Sequence, residues 1–166
     1  MPRYAVTSAT VTQTTGLLRF TYFTAKSSTV RTNLNLYSGS TAAAATPSLV
    51  RAGVYSVDAA TGDLTRVATI ASDTSIFAAA NTLYTRALEA SWTPVAGARY
   101  AFALLVVTAA TAPTQNGGVI GSTTLTSIAA LSPRLAASLS SQSDLPTSAT
   151  DASLTNQGVG IFLTAS

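Results

Sequence analysis

The strongest constraint on the fold is a period of two in the apolar residues. In GLLRFTYFTA, Leu18, Phe20 and Tyr22 fall on one side of an extended chain, and Arg19, Thr21 and Phe23 on the other. In TVRTNLNLYS, Val30, Leu34 and Leu36 alternate with Arg31, Asn33 and Asn35. Side chains that alternate in this way belong to half-buried strands, because a helix returns to the same face only every 3.6 residues. The segments are rich in Thr, Val, Tyr and Phe, which suit a pleated surface.

The clearest local signal is LVRAGVYSV, then DAATGD, then LTRVATI. Asp58 can bond its own backbone and Gly62 can take a positive φ, so a β-hairpin with a loop of about four or five residues is expected. In ASDTSIFAAANTLYTRAL, Asp73 or Ser72 is expected to cap one short helical turn, with Ile76 and Phe77 folding inward and Ala78 to Ala80 extending it. A strand should resume from Thr82 to Leu88. WTPVAGARY reads as a corner, since Pro94 lacks an amide donor and Gly97 permits a turn.

The strand after that corner, Arg99 to Thr108, carries the longest apolar run. Tyr100, Phe102, Leu104 and Val106 share one face; Ala101, Ala103, Leu105 and Val107 share the other. Both faces are expected to be buried. The run is far shorter than the roughly 20 residues of a membrane-spanning helix, so membrane insertion is not expected.

From Pro113 to Asn156 the chain is rich in Ser, Thr, Gly and Pro, with TLTSIAAL and RLAASL as candidate short strands. VGIFLT reads as a last buried strand that pairs back beside an early one. The expectation is one all-β domain over residues 1–166, an antiparallel β-sandwich in jelly-roll order. It should have about eight strands, one short helical turn and a loop-rich C-terminal third. Residues 1–16 form an N-terminal strand or arm, 17–114 the core, 115–156 the loop-rich region and 157–166 the final strand.

Composition narrows the chemistry. Hydrophobic residues make up 47% of the 166 and charged residues only 9%, against roughly 25% charged in an average soluble domain. Thr, Ser, Asn, Gln and Ala must therefore cover much of the surface, and part of that surface is expected to pack against other chains. The formal charge is +3, but the eight arginines and Lys26 are scattered, so nucleic acid is not expected as a partner. The start, MPRYAVTSATVTQ, lacks the apolar core of a signal peptide, so synthesis in the cytoplasm without secretion by that route is expected.

Cysteine and histidine are both absent. That removes Ser-His and Cys-His catalysis and Cys or His metal sites, and no catalytic, cofactor-binding or metal-binding residue is assigned. Lys26 beside Ser27 and Ser28 is read as a solvated strand end. Asp58 and Asp63 belong to the hairpin loop, Asp73 to a cap, and Asp144 and Asp151 to polar loops. Glu89, near Trp92, has no local explanation, but a pair of flanking carboxylates is not visible. QNGGVIGS precedes no helix and is not a phosphate loop. Trp92, Tyr37, Tyr55 and Asn116 are residue types used in carbohydrate contacts, although such residues more commonly pack in cores.

The pieces FTYFTA, STAAAATPSLVRAGVYSVD, GDLTRVA, SDTSIFAAANTLYTRAL and AGARYAFALLVV, in that order, cover about Leu17 to Thr114. This ordered set resembles the β-rich domain of minor tail proteins from bacteriophages of actinobacteria. The resemblance implies a non-enzymatic virion structural protein, homotrimeric, at the tail tip or fibres, contributing to assembly and host attachment. Its implied partners are other copies of itself, other virion proteins and a host-surface glycan. The same domain standing alone would also suit capsid decoration, and a glycan-binding module is a further alternative. The resemblance supplies no catalytic residues.

Overall fold

The computed structural model describes residues 10–119 and 134–166. Eight strands appear first along the chain: β1 (Thr10–Thr12), β2 (Leu18–Thr24), β3 (Arg31–Tyr37), β4 (Leu49–Val57), β5 (Leu64–Thr69), β6 (Leu83–Trp92), β7 (Arg99–Val107) and β8 (Thr114–Val119). Five short ones follow: β9 (Ala136–Leu139), β10 (Ser148–Ala149), β11 (Thr155–Asn156), β12 (Val159–Ile161) and β13 (Leu163–Ala165). All pairings are antiparallel.

The first layer contains the run β5-β4-β7-β2, and the second pairs β1 with β8 and β3 with β6. With β1 to β8 counted in chain order, this is the jelly-roll arrangement. The roll has about the expected number of strands, but β8 (Thr114–Val119) lies in the stretch expected to be loop-rich; its Gly-rich sequence hides it, and it is held as a strand by pairing with β1 and β12. Of the five additional strands, β9 falls in RLAASL, and β12 and β13 fall in the expected final strand, which is split at Phe162; β10 and β11 are two-residue pieces that sequence periodicity does not resolve. The C-terminal segment closes the second layer: β12 pairs β8, β13 pairs β3, and a bridge joins Ser38 to Gln115. VGIFLT therefore returns beside an early strand, as its apolar pattern implies.

The first layer extends to β10-β5-β4-β7-β2-β9-β11. Seven flat strands at about 4.8 Å spacing would hold the outer two nearly 29 Å apart. Yet only residues 150–154, including a 3-10 turn at Asp151–Ser153, connect β10 to β11, a span of at most about 20 Å. The sheet therefore curls, and it encloses a core of its own. Leu18, Phe20, Tyr22, Tyr55, Leu64 and Leu105 lie on this concave side, beneath Leu145, Ala149 and Leu154. The convex side packs Val50, Val54, Tyr100, Phe102, Leu104 and Val106 against Leu34, Leu36, Tyr84, Leu88 and Leu163 of the second layer.

β7 lies between these two cores, which is why it is apolar on both faces. Each large side chain buried there contributes about 1.5–3 kcal/mol. The hairpin forms as expected. Asp58 Oδ1 accepts from the amides of Ala60 and Thr61, each at 2.8 Å, and Gly62 sits at a φ of 79°. A Cβ on Gly62 would also lie 3.1 Å from the Asp151 carboxyl carbon. The Pro94 corner forms too, with Gly97 at a φ of 85°.

Three further expectations change. The helical turn after Ser72 is a series of non-helical turns, because Phe77 adopts a φ of 75° that ends any helix. Ile76 and Phe77 are nonetheless fully buried. β6 continues past Leu88 to Trp92, since Leu88 bridges Ile70 and Trp92 pairs with Arg31. Val30 precedes β3 and is 53% exposed; a register shift between Arg31 and Asn33 takes it out of the alternation. The candidate strand TLTSIAAL lies outside the described residues.

Candidate functional site

The residues singled out for chemistry do not converge on one centre. Ser27 Oγ accepts from the Arg31 guanidinium at 3.2 Å, and Ser28 Oγ accepts from the Ala96 amide at 3.1 Å. Among the described residues neither serine is hydrogen-bonded to Lys26. Glu89 is explained by an ion pair: its carboxylate lies 3.3 Å from Arg51, which also holds Asp144 at 3.1 Å. This triad ties β6 and the loop after β9 to β4. Trp92 turns the other way, into the core, and is only 7% exposed.

The remaining acids are also structural. Asp73 pairs with Arg86 and accepts from the Ser75 amide at 2.8 Å. Burial pushes the Asp73 carboxyl up, but the hydrogen bonds from Ser75 and Arg86 outweigh it and hold the group below its usual range. Asp151 lies 2.7 Å from Arg134, and its amide donates to Asp63 Oδ1 at 2.8 Å. Among the described residues no group of three or more acids is placed to hold a metal ion. No described helix is long and apolar enough to cross a membrane.

The aromatic candidates separate as well. Tyr55 is buried under the curled sheet and donates to the Pro146 carbonyl at 2.6 Å; burial pushes its phenol up. Tyr22 shares that core, where burial pushes its phenol up to about 12. Tyr37 packs against Phe162 with ring centroids 5.4 Å apart. Asn116 belongs to β8, where its carbonyl accepts from the Phe162 amide at 3.0 Å.

Two surface features are built by the fold. The first is the outer face of the second layer. Leu83, Thr85 and Ala87 of β6 lie opposite Tyr37, Asn35 and Asn33 of β3, and Thr164 of β13 lies opposite Asn35. Thr85 donates to Asn35 Oδ1 at 2.8 Å, and Asn35 donates to Thr164 Oγ1 at 3.2 Å. None of these side chains is charged, and Leu83 is 50% exposed. The polar groups are satisfied within the face itself, so it presents methyls, amide edges and an aromatic pair.

No protein-family model matches this chain, and no curated protein matches it.

The second feature is a pocket of about 220 Å³ at one end of the sandwich. Phe23, Trp92 and Phe102 are among the residues that line it; Phe23 stacks on Phe102 at 4.2 Å and meets Trp92 edge-on at 6.5 Å. Thr24, Lys26, Ser27 and Arg31 line it from the β2–β3 connection, and Thr164 from β13. Trp92 is the one carbohydrate-type candidate found there. Lys26 and Arg31 were missed as site residues, because their scatter along the sequence hides the turn that brings them to the same pocket.

Proposed function

We propose that this chain is a non-enzymatic structural component of a bacteriophage particle, a minor tail protein that works by packing against copies of itself. The ordered resemblance over Leu17 to Thr114 motivates the setting. The observation that supports the mode of action is the uncharged patch on the outer face formed by Leu83, Thr85 and Ala87 of β6, Asn33, Asn35 and Tyr37 of β3 and Thr164 of β13.

A solvent-facing sheet of an ordinary soluble domain carries interspersed charges, which keep copies apart. Here the charges are spent elsewhere: Arg51, Arg86 and Arg134 are each paired with acids within the chain. Copies can meet through the Thr85–Asn35–Thr164 face without burying an unpaired charge, the costliest feature an interface can contain. A closed ring of three copies is the arrangement proposed, since closed symmetry uses every such face and stops growth. Catalysis has no part in this reading, because each acid already has a structural role.

The test is location. Antibody against the chain, gold-labelled on intact particles, should decorate the tail. Label confined to the head would move the protein to the capsid surface. No label on purified particles, with the chain absent from their protein content, would remove the virion reading.

A further inference from the structure

We infer that the pocket between the β2–β3 connection, Trp92 and β13 binds a single acidic sugar ring. This does not depend on the virion reading, because the pocket is formed within one chain.

Charge gives the first part of the inference. Lys26 and Arg31 both line the pocket, and among the described residues no side-chain carboxylate does. The acids of the chain are engaged elsewhere: Glu89 and Asp144 on Arg51, Asp73 on Arg86, Asp151 on Arg134, and Asp58 and Asp63 in the hairpin region. The two cations therefore face a pocket that supplies them no side-chain counter-charge. The bond from Arg31 to Ser27 Oγ holds the guanidinium in place and uses one of its five N–H groups. A carboxylate is a group that a guanidinium fork and a nearby ammonium can bind together.

Shape gives the second part. Part of the lining is aromatic, from Phe23, Trp92 and Phe102, and an aromatic face is electron-rich, so it attracts the polarised C–H groups on one side of a sugar ring. The hydroxyls of Thr24, Ser27 and Thr164 around the sides suit ring hydroxyls. At about 220 Å³ the pocket falls below the roughly 300–1,000 Å³ of a drug-sized site. It takes one ring and leaves the rest of a polymer outside.

The chain has one tryptophan, and it lines the pocket, so its fluorescence reports occupancy directly. The full chain is titrated with glucuronate, with glucose as the neutral ring and with benzoate as a flat acid without hydroxyls. Glucuronate should bind at least about tenfold more tightly than either, since it alone meets both the cations and the hydroxyls. Lys26→Gln with Arg31→Gln should weaken glucuronate by at least about tenfold while glucose is unchanged. Added salt should weaken glucuronate binding to the unaltered chain, a readout that needs no variant. Glucose or benzoate binding as tightly as glucuronate would overturn the assignment. So would glucuronate binding that is indifferent to salt, or no fluorescence response at all.

Discussion

Phe20→Ala is expected to destabilise the protein by about 3–5 kcal/mol, the range for emptying an aromatic site in a packed core. Phe20 is 1% exposed and meets Tyr55 edge-on, ring centroids 5.3 Å apart, beneath the curled first sheet. The loss has two sources: apolar area returned to water, and a cavity that the surrounding strands cannot close. In a chain of this size each kcal/mol moves the midpoint by roughly 2–4 °C, so melting should fall by about 6–20 °C. Val67→Ala, on an exposed site of β5, should stay within about 0.5 kcal/mol. Urea unfolding of both variants checks this. A loss below about 1 kcal/mol for Phe20→Ala would mean that the concave side is not a tightly packed core.

The second large effect concerns the closure of that sheet. Arg134 lies just before β9 and, besides the Asp151 carbonyl, reaches three groups of the segment that carries β11. Its guanidinium donates to the Leu154 carbonyl at 3.1 Å, to the Asn156 side chain at 2.5 Å and to the Asp151 carboxylate at 3.0 Å. Arg134→Met keeps much of the stem but removes every one of these donors, leaving part-buried acceptors without a partner. A loss of about 2–3 kcal/mol is expected, the scale of hydrogen bonds to a charged group. It should also be local. Amide exchange should quicken at Ala149, Leu154 and Asn156, while β4 and β7 keep their protection. Unchanged exchange at those three amides would show that the curled sheet closes without Arg134.

Much of this architecture is legible in the sequence, for a physical reason. β4 and β7 have one or two continuously buried faces, so their apolar residues follow the pleat, and the hairpin between β4 and β5 announces itself through Asp58 and Gly62. β7 is legible as a strand between two cores because no other environment tolerates apolar residues on both faces. The short strands β10 and β11 are not legible. Their few residues are fixed by partners elsewhere in the sequence: Ser148 and Ala149 pair with Thr65 and Leu64, and Thr155 and Asn156 with Ser138 and Ala137. The turn at Phe77 is equally hidden, because tertiary burial of Ile76 and Phe77 overrides the helical preference of the alanines that follow.

The candidate site was less legible than the fold. Glu89 looked unexplained because its partner, Arg51, lies in another strand. Lys26 and Arg31 looked like isolated charges because only the β2–β3 connection makes them neighbours of Trp92. The uncharged patch was visible only as a low overall charge. Pairing of β6 with β3, and of β3 with β13, is what gathers Thr85, Asn35 and Thr164 onto one surface.

That face carries the central claim, and the mass of the protein in solution tests it most directly. Light scattering after size exclusion, at high chain concentration, should give a multiple of the 16.8 kDa chain mass, three chains in the proposed ring. Thr85→Arg with Thr164→Arg should return it to a single chain that stays folded by circular dichroism, since both side chains lie on the outer face and like charges would then meet at the contact. A mass of one chain for the unaltered protein would contradict the account, as would an assembly that survives both arginines.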